Sequence, residues 1–133
     1  MLTNEIWQKL NAKLRDGQFH QTILECNSHI RRYPKNGQLY ELVGLAYLGL
    51  GNTINGKKFL EKALKLMPNL KLAKLNLSQI HMDNGDFVRA IRLLSDLTRN
   101  DARINSAHRL LGKAYYLNGQ FFESGKALGA ALA

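Results

Sequence analysis

The chain has 133 residues, 45% of them apolar, with two prolines and a net charge of +9. That length and apolar content suit one domain with a core of its own and exclude a disordered chain, while scarce proline with abundant Leu, Ala, Lys and Asn favours helices over strands and turns. No apolar run approaches the roughly 18 residues of a membrane span.

The first stretch, MLTNEIWQKLNAKLRDG, sets Glu5, Lys9, Lys13, Arg15 and Asp16 among its apolar residues, so an amphipathic helix ending near Gly17 is expected there and a secretory signal is not. Gln18 and Phe19 open a second amphipathic stretch that runs through LECNSHI and breaks near Pro34. Its Cys26 is the only cysteine, so no internal disulfide forms, and the residue reads as a small buried hydrophobe. A cytoplasmic protein is expected from these features.

The next pair of elements is LYELVGLAYLGL and KKFLEKALKLM, joined through Gly51 and Asn52 and closed near Pro68. Residues 51–58, GNTINGKK, match a phosphate-binding loop up to the last letter, where Lys58 stands in place of the hydroxyl that would hold magnesium. With helices on both sides of the loop, no nucleotide is expected, and no other cofactor. A third pair turns at Gly85 and Asp86, and a fourth turns at Gly119 and Gln120 before FFESGKALGAALA.

The four turn glycines, Gly17, Gly51, Gly85 and Gly119, are 34 residues apart, as are Pro34 and Pro68. Four ungapped repeats follow: 3–36, 37–70, 71–104 and a shorter 105–133. The eighth position holds Leu10, Gly44, Ser78 and Gly112, and the twentieth holds Thr22, Gly56, Ala90 and Ser124. Residues this small, Leu10 apart, mark the place where the two helices of a repeat, A and B, approach closely.

These residues resemble the tetratricopeptide repeats. In the second repeat Tyr40, Val43, Gly44, Tyr47, Gly51, Gly56, Phe59, Leu60, Ala63 and Pro68 stand where that family has its aromatic, aliphatic, Gly, Tyr, Gly, Ala, aromatic pair, Ala and Pro. The fourth repeat adds Leu111, Gly112, Tyr115, Gly119, Phe121 and Ala131, and the third keeps Leu77, Ser78, Gly85, Phe87, Ala90 and Leu94. The first diverges most, with Lys9, Leu10 and Lys13 at the Leu, Gly and Tyr positions. The resemblance implies an all-α fold, a right-handed superhelical solenoid of antiparallel helix pairs, with A helices lining a concave face that binds a peptide or partner helix and performs no chemistry.

Under that resemblance the second, fifth, sixth, ninth, twelfth and thirteenth positions face the groove, and the residues there expected to touch a peptide are Trp7, Asn11, Leu42, Leu45, Leu75, Asn76, Gln79, Arg109, Lys113 and Tyr116. Amides suit a bound backbone and leucines an apolar side chain. Leu48 and Leu72 are equally suited to fill seams between A helices, and Trp7 to cap the first repeat. In the family subgroup that grips chaperone C-terminal carboxylates, the matching positions would fall on Trp7, Asn11, Leu42, Leu72 and Asn76, of which only Asn11 fits.

By repeat the charge is +3, +2, +2 and +2, an even spread that argues against nucleic acid as partner. Arg31, Arg32 and Lys35, and Lys57, Lys58, Lys62 and Lys65, are expected to give the B helices a basic outer face, either solvated or set against an acidic protein or membrane surface. His20, His29, His81 and His108 fall at four different repeat positions with no second ligand at metal spacing, and the carboxylates form no acid and base pair, so neither a metal nor catalysis is expected. The apolar face of FFESGKALGAALA leads to the expectation that the chain is the N-terminal part of a longer protein, or that it self-associates through this helix. A regulatory or substrate-positioning module of a larger enzyme, with its catalytic domain beyond residue 133, is the alternative function.

Overall fold

A computed structural model describes residues 2–132 of the chain. Among them are eight α-helices: α1 (Asn4–Arg15), α2 (Phe19–Arg32), α3 (Gly37–Gly49), α4 (Thr53–Leu66), α5 (Lys71–Asp83), α6 (Phe87–Asn100), α7 (Asn105–Leu117) and α8 (Phe121–Leu132). They pair in order, one pair to each repeat. No helix among the described residues is long and apolar enough to cross a membrane.

The turn inside each pair is built the same way because its glycine is left-handed, with φ of 78°, 78°, 76° and 79° at Gly17, Gly51, Gly85 and Gly119. At the second turn Gly51 N–H donates to Leu48 O at 3.0 Å and Asn52 N–H to Tyr47 O at 2.9 Å, closing the end of α3. The polar residue after the glycine then starts the next helix: the side chains of Asn52 and Asp86 accept from the backbone N–H of Asn55 and Arg89. GNTINGKK is therefore a helix–turn–helix junction, with no strand before it.

The small positions meet as expected. A Cβ on Gly44 would lie 2.8 Å from Leu60 and 3.1 Å from the Gly56 carbonyl oxygen, so α3 and α4 approach backbone to backbone. In the fourth repeat Ser124 Oγ donates to Gly112 O at 2.8 Å, tying α8 to α7.

The chain divides into two compact units, residues 1–73 and 74–133, the boundary falling inside α5. The N-terminal unit has a core of Leu10, Ile23, Cys26, Leu39, Leu42, Val43 and Ala46, flanked by Trp7, Phe19, Tyr47 and Phe59. Burial pushes the Cys26 thiol up to about 12, so it packs as a hydrophobe and stays a thiol. The C-terminal unit closes around Ala90, Leu94, Leu97, Ala107, Leu111, Ala114 and Ala127.

Candidate functional site

In the C-terminal unit, the A helices α5 and α7 border a cleft of about 400 Å³. Leu75, Asn76 and Gln79 line it from α5, and Ser106, Arg109, Leu110 and Lys113 from α7. Leu75 and Leu110 are half-buried against the core and form its apolar part. Gln79 donates from Nε2 to Asp83 Oδ1 at 2.9 Å, which holds that amide along the helix. Arg109 and Lys113 stand one turn apart, both exposed, and neither belongs to an ion pair among the described residues. One wall thus offers amides and the other two free cations, above leucines.

A second cleft of about 450 Å³ lies on α1 in the N-terminal unit, lined by Asn4, Trp7, Gln8, Asn11 and Arg15. Trp7 is half-buried against the core, and its carbonyl accepts from Asn11 Nδ2 at 2.8 Å. Leu45 is half-buried on α3. Tyr116 is exposed and pairs edge-on with Phe121 of α8 at 5.3 Å.

Leu42 requires a correction. It was expected to touch a ligand, but only 4% of it is exposed, and it packs in the core of the N-terminal unit. The same sixth position holds exposed Gln8 in the first repeat, so a groove-facing position by register becomes a core position where its side chain is apolar and a neighbouring A helix covers it. Of the two leucines equally suited to seams, Leu48 lies against Gly56 inside its own pair, whereas Leu72 is 54% exposed.

The expectations also missed a cleft of about 480 Å³ between α2 and the end of α3, lined by His20, Ile23, Leu24, Tyr47, Leu50 and Asn52. A signal was there: two repeats on, the positions of Leu24 and Leu50 hold Arg92 and Asn118. Glu41 holds the fifth, groove-facing position of its repeat by register, yet its Oε2 accepts from Ala73 N–H at 3.0 Å in the first turn of α5. Burial raises its carboxyl above the usual range, with the Ala73 hydrogen bond opposing. Among the described residues no group of three His, Cys, Asp or Glu is placed to hold a metal ion.

Comparison with known proteins agrees with this architecture. The chain is 34% identical over 82 residues to the TPR repeat-containing protein MJ0940 of Methanocaldococcus jannaschii, a match that takes in 62% of this chain and 26% of that protein. It superposes on MamA of Desulfovibrio magneticus RS-1 with a TM-score of 0.82, at 21% identity over 94% of this chain and 71% of that one. A second MamA crystal structure gives 0.82 at 18% identity, covering 92% and 72%. At these identities the likeness is one of fold, and it makes the fold that of an all-α solenoid of helix pairs. Residues 47–114, just over half the chain, match the family model described as tetratricopeptide repeat, and the chain belongs to the tetratricopeptide repeat family.

Proposed function

We propose that the chain is a protein–protein interaction module whose A helices hold a peptide or helix of a partner protein, with an acidic stretch of it in the α5–α7 cleft. The make-up of that cleft carries the reading: leucines for an apolar side chain, Asn76 and Gln79 for the backbone, and unpaired Arg109 and Lys113 for a carboxylate. Five of the ten residues expected to contact a peptide border it. The fold is typical of interaction scaffolds, although a fold by itself leaves function open.

The test compares the intact protein with Arg109→Glu/Lys113→Glu in pull-downs, with circular dichroism to confirm that both are folded. Both residues are exposed, so the reversal leaves the core untouched. A partner held by the intact protein and released by the variant supports the reading; equal retention by both refutes it.

A further inference from the structure

In the N-terminal unit the end of α2 and the end of α4, each with its own cations, are both tied to the first turn of α3. There the first residue of α3 packs on the last turn of α4: a Cβ on Gly37 would come within 2.8 Å of Met67 Cγ and 2.9 Å of Ala63 O. Tyr40 donates from its hydroxyl to Pro34 O at 2.9 Å, and Lys62 Nζ stands 5.9 Å from the centre of the Tyr40 ring. Arg31, Arg32 and Lys35 are thereby brought to the same edge as Lys62 and Lys65. All five are exposed, and none is in an ion pair among the described residues. Glu61 is the only carboxylate on α4, and Glu25 on α2 is bound to Lys13.

The fold does not need these charges. Two repeats further on, the positions of Arg32, Tyr33 and Lys62 hold Asn100, Asp101 and Ala130, and Arg103, matching Lys35, pairs with Asp101 at 3.4 Å. A cation in the last turn complements a helix dipole, and α6 does this with Arg99 alone. The N-terminal edge carries cations in excess of that purpose and lacks the aspartate that offsets them in the other repeat.

We infer that this edge is a second docking surface, outside the α5–α7 cleft, for an acidic segment of a partner protein. Nucleic acid would want open ring faces to stack on, but Tyr40 has its hydroxyl tied to Pro34 and Lys62 over its ring, and Tyr33 is packed against the core. A lipid surface would want exposed aromatic anchors, and both tyrosines here are half-buried. Carboxylates need only reach the two guanidinium forks and the ammonium groups beside them. The module would then hold a partner on its outer edge independently of what occupies its A helices.

The experiment uses the full chain carrying Arg109→Ala/Lys113→Ala, so that the cleft cations are silent, and a fluorescein-labelled peptide of alternating Glu and Ser read by anisotropy. Adding Arg31→Ala/Arg32→Ala/Lys62→Ala is expected to weaken binding by about tenfold or more and to flatten its salt dependence, with the melting curve unchanged. An unchanged Kd overturns the proposal. So does tighter binding, in the same background, of a uridine-rich RNA or of phosphatidylserine vesicles. Should the cleft reading be wrong, that shows separately, as retention of partner by Arg109→Glu/Lys113→Glu.

Discussion

The Glu41 carboxylate on α3 accepts a hydrogen bond from the Ala73 backbone N–H at 3.0 Å, joining one A helix to the first turn of the next. A helix N-terminus favours a negative charge, yet burial outweighs it and raises the carboxyl above its ordinary 4.5. The folded chain then holds the proton more tightly than the unfolded one, so stability falls as pH rises from 4.5 through the folded value. Glu41→Gln keeps an oxygen for Ala73 and removes the charge. It should be at least as stable as the parent at pH 7, with the difference shrinking to nothing by about pH 4. Urea midpoints across that range measure it, and a deficit for the variant at neutral pH would show the charge to be stabilising.

Lys74 and Asp96 present the opposite case. Lys74 is 5% exposed on α5, and its ammonium meets the half-exposed Asp96 on α6 at 2.5 Å. The Lys74 hydrogen bond holds the Asp96 carboxyl below its usual 3.8, so its contribution is present above that value and lost as pH falls through the folded one. Asp96→Ala leaves a buried cation without its partner and should cost about 2 kcal/mol, less than a fully buried pair because water still reaches the site. Lys74→Met removes the charge and keeps the packing, and should be close to neutral. Chemical denaturation of the two variants separates the outcomes.

Much of this was legible because backbone demands repeat where side chains vary. Gly17, Gly51, Gly85 and Gly119 share a phase because one turn needs a left-handed residue, and Gly44, Gly56 and Ser124 are small because helix pairs touch there. The candidate site was legible only by register. Register assigns Leu42 and Asn76 one position, whereas burial depends on the neighbouring A helix and puts Leu42 in the core. The Glu41 to Ala73 bond spans 32 residues and has no local pattern to announce it. The cations of the B helices were legible as a basic outer face, but the link from Lys62 through the Tyr40 ring to Pro34 was not, because it joins residues far apart in sequence.

The turn glycines and the contact glycines should fail differently. Gly51 has φ of 78° and open space around the site of a Cβ, so Gly51→Ala pays for conformation alone, about 1–2 kcal/mol, and D-alanine introduced by chemical synthesis should be tolerated. Gly44 is helical, and there a methyl group meets Leu60 and the Gly56 carbonyl. Gly44→Ala should cost about 1–3 kcal/mol in overpacking, of which helix propensity returns up to about 1. Thermal melts of the three proteins decide the matter, and a harmless Gly44→Ala would mean that α3 and α4 part easily.

On α8 the apolar residues Phe121, Phe122 and Leu132 are 64%, 76% and 90% exposed. Phe121 rests edge-on against Tyr116, and Lys126 reaches over Phe122 to 5.8 Å from its centre, so each ring has a partner but keeps most of its surface in water. Surface of this kind, next to the open positions at Gly125 and Gly129, favours close pairing of α8 with another helix. The expected result is association that grows with concentration in light scattering. Phe122→Ser should weaken it while shifting stability by no more than about 0.5 kcal/mol, because the ring is exposed. A parent protein that stays monomeric throughout the series would remove α8 as a contact surface and leave its phenylalanines as solvated surface beside Tyr116.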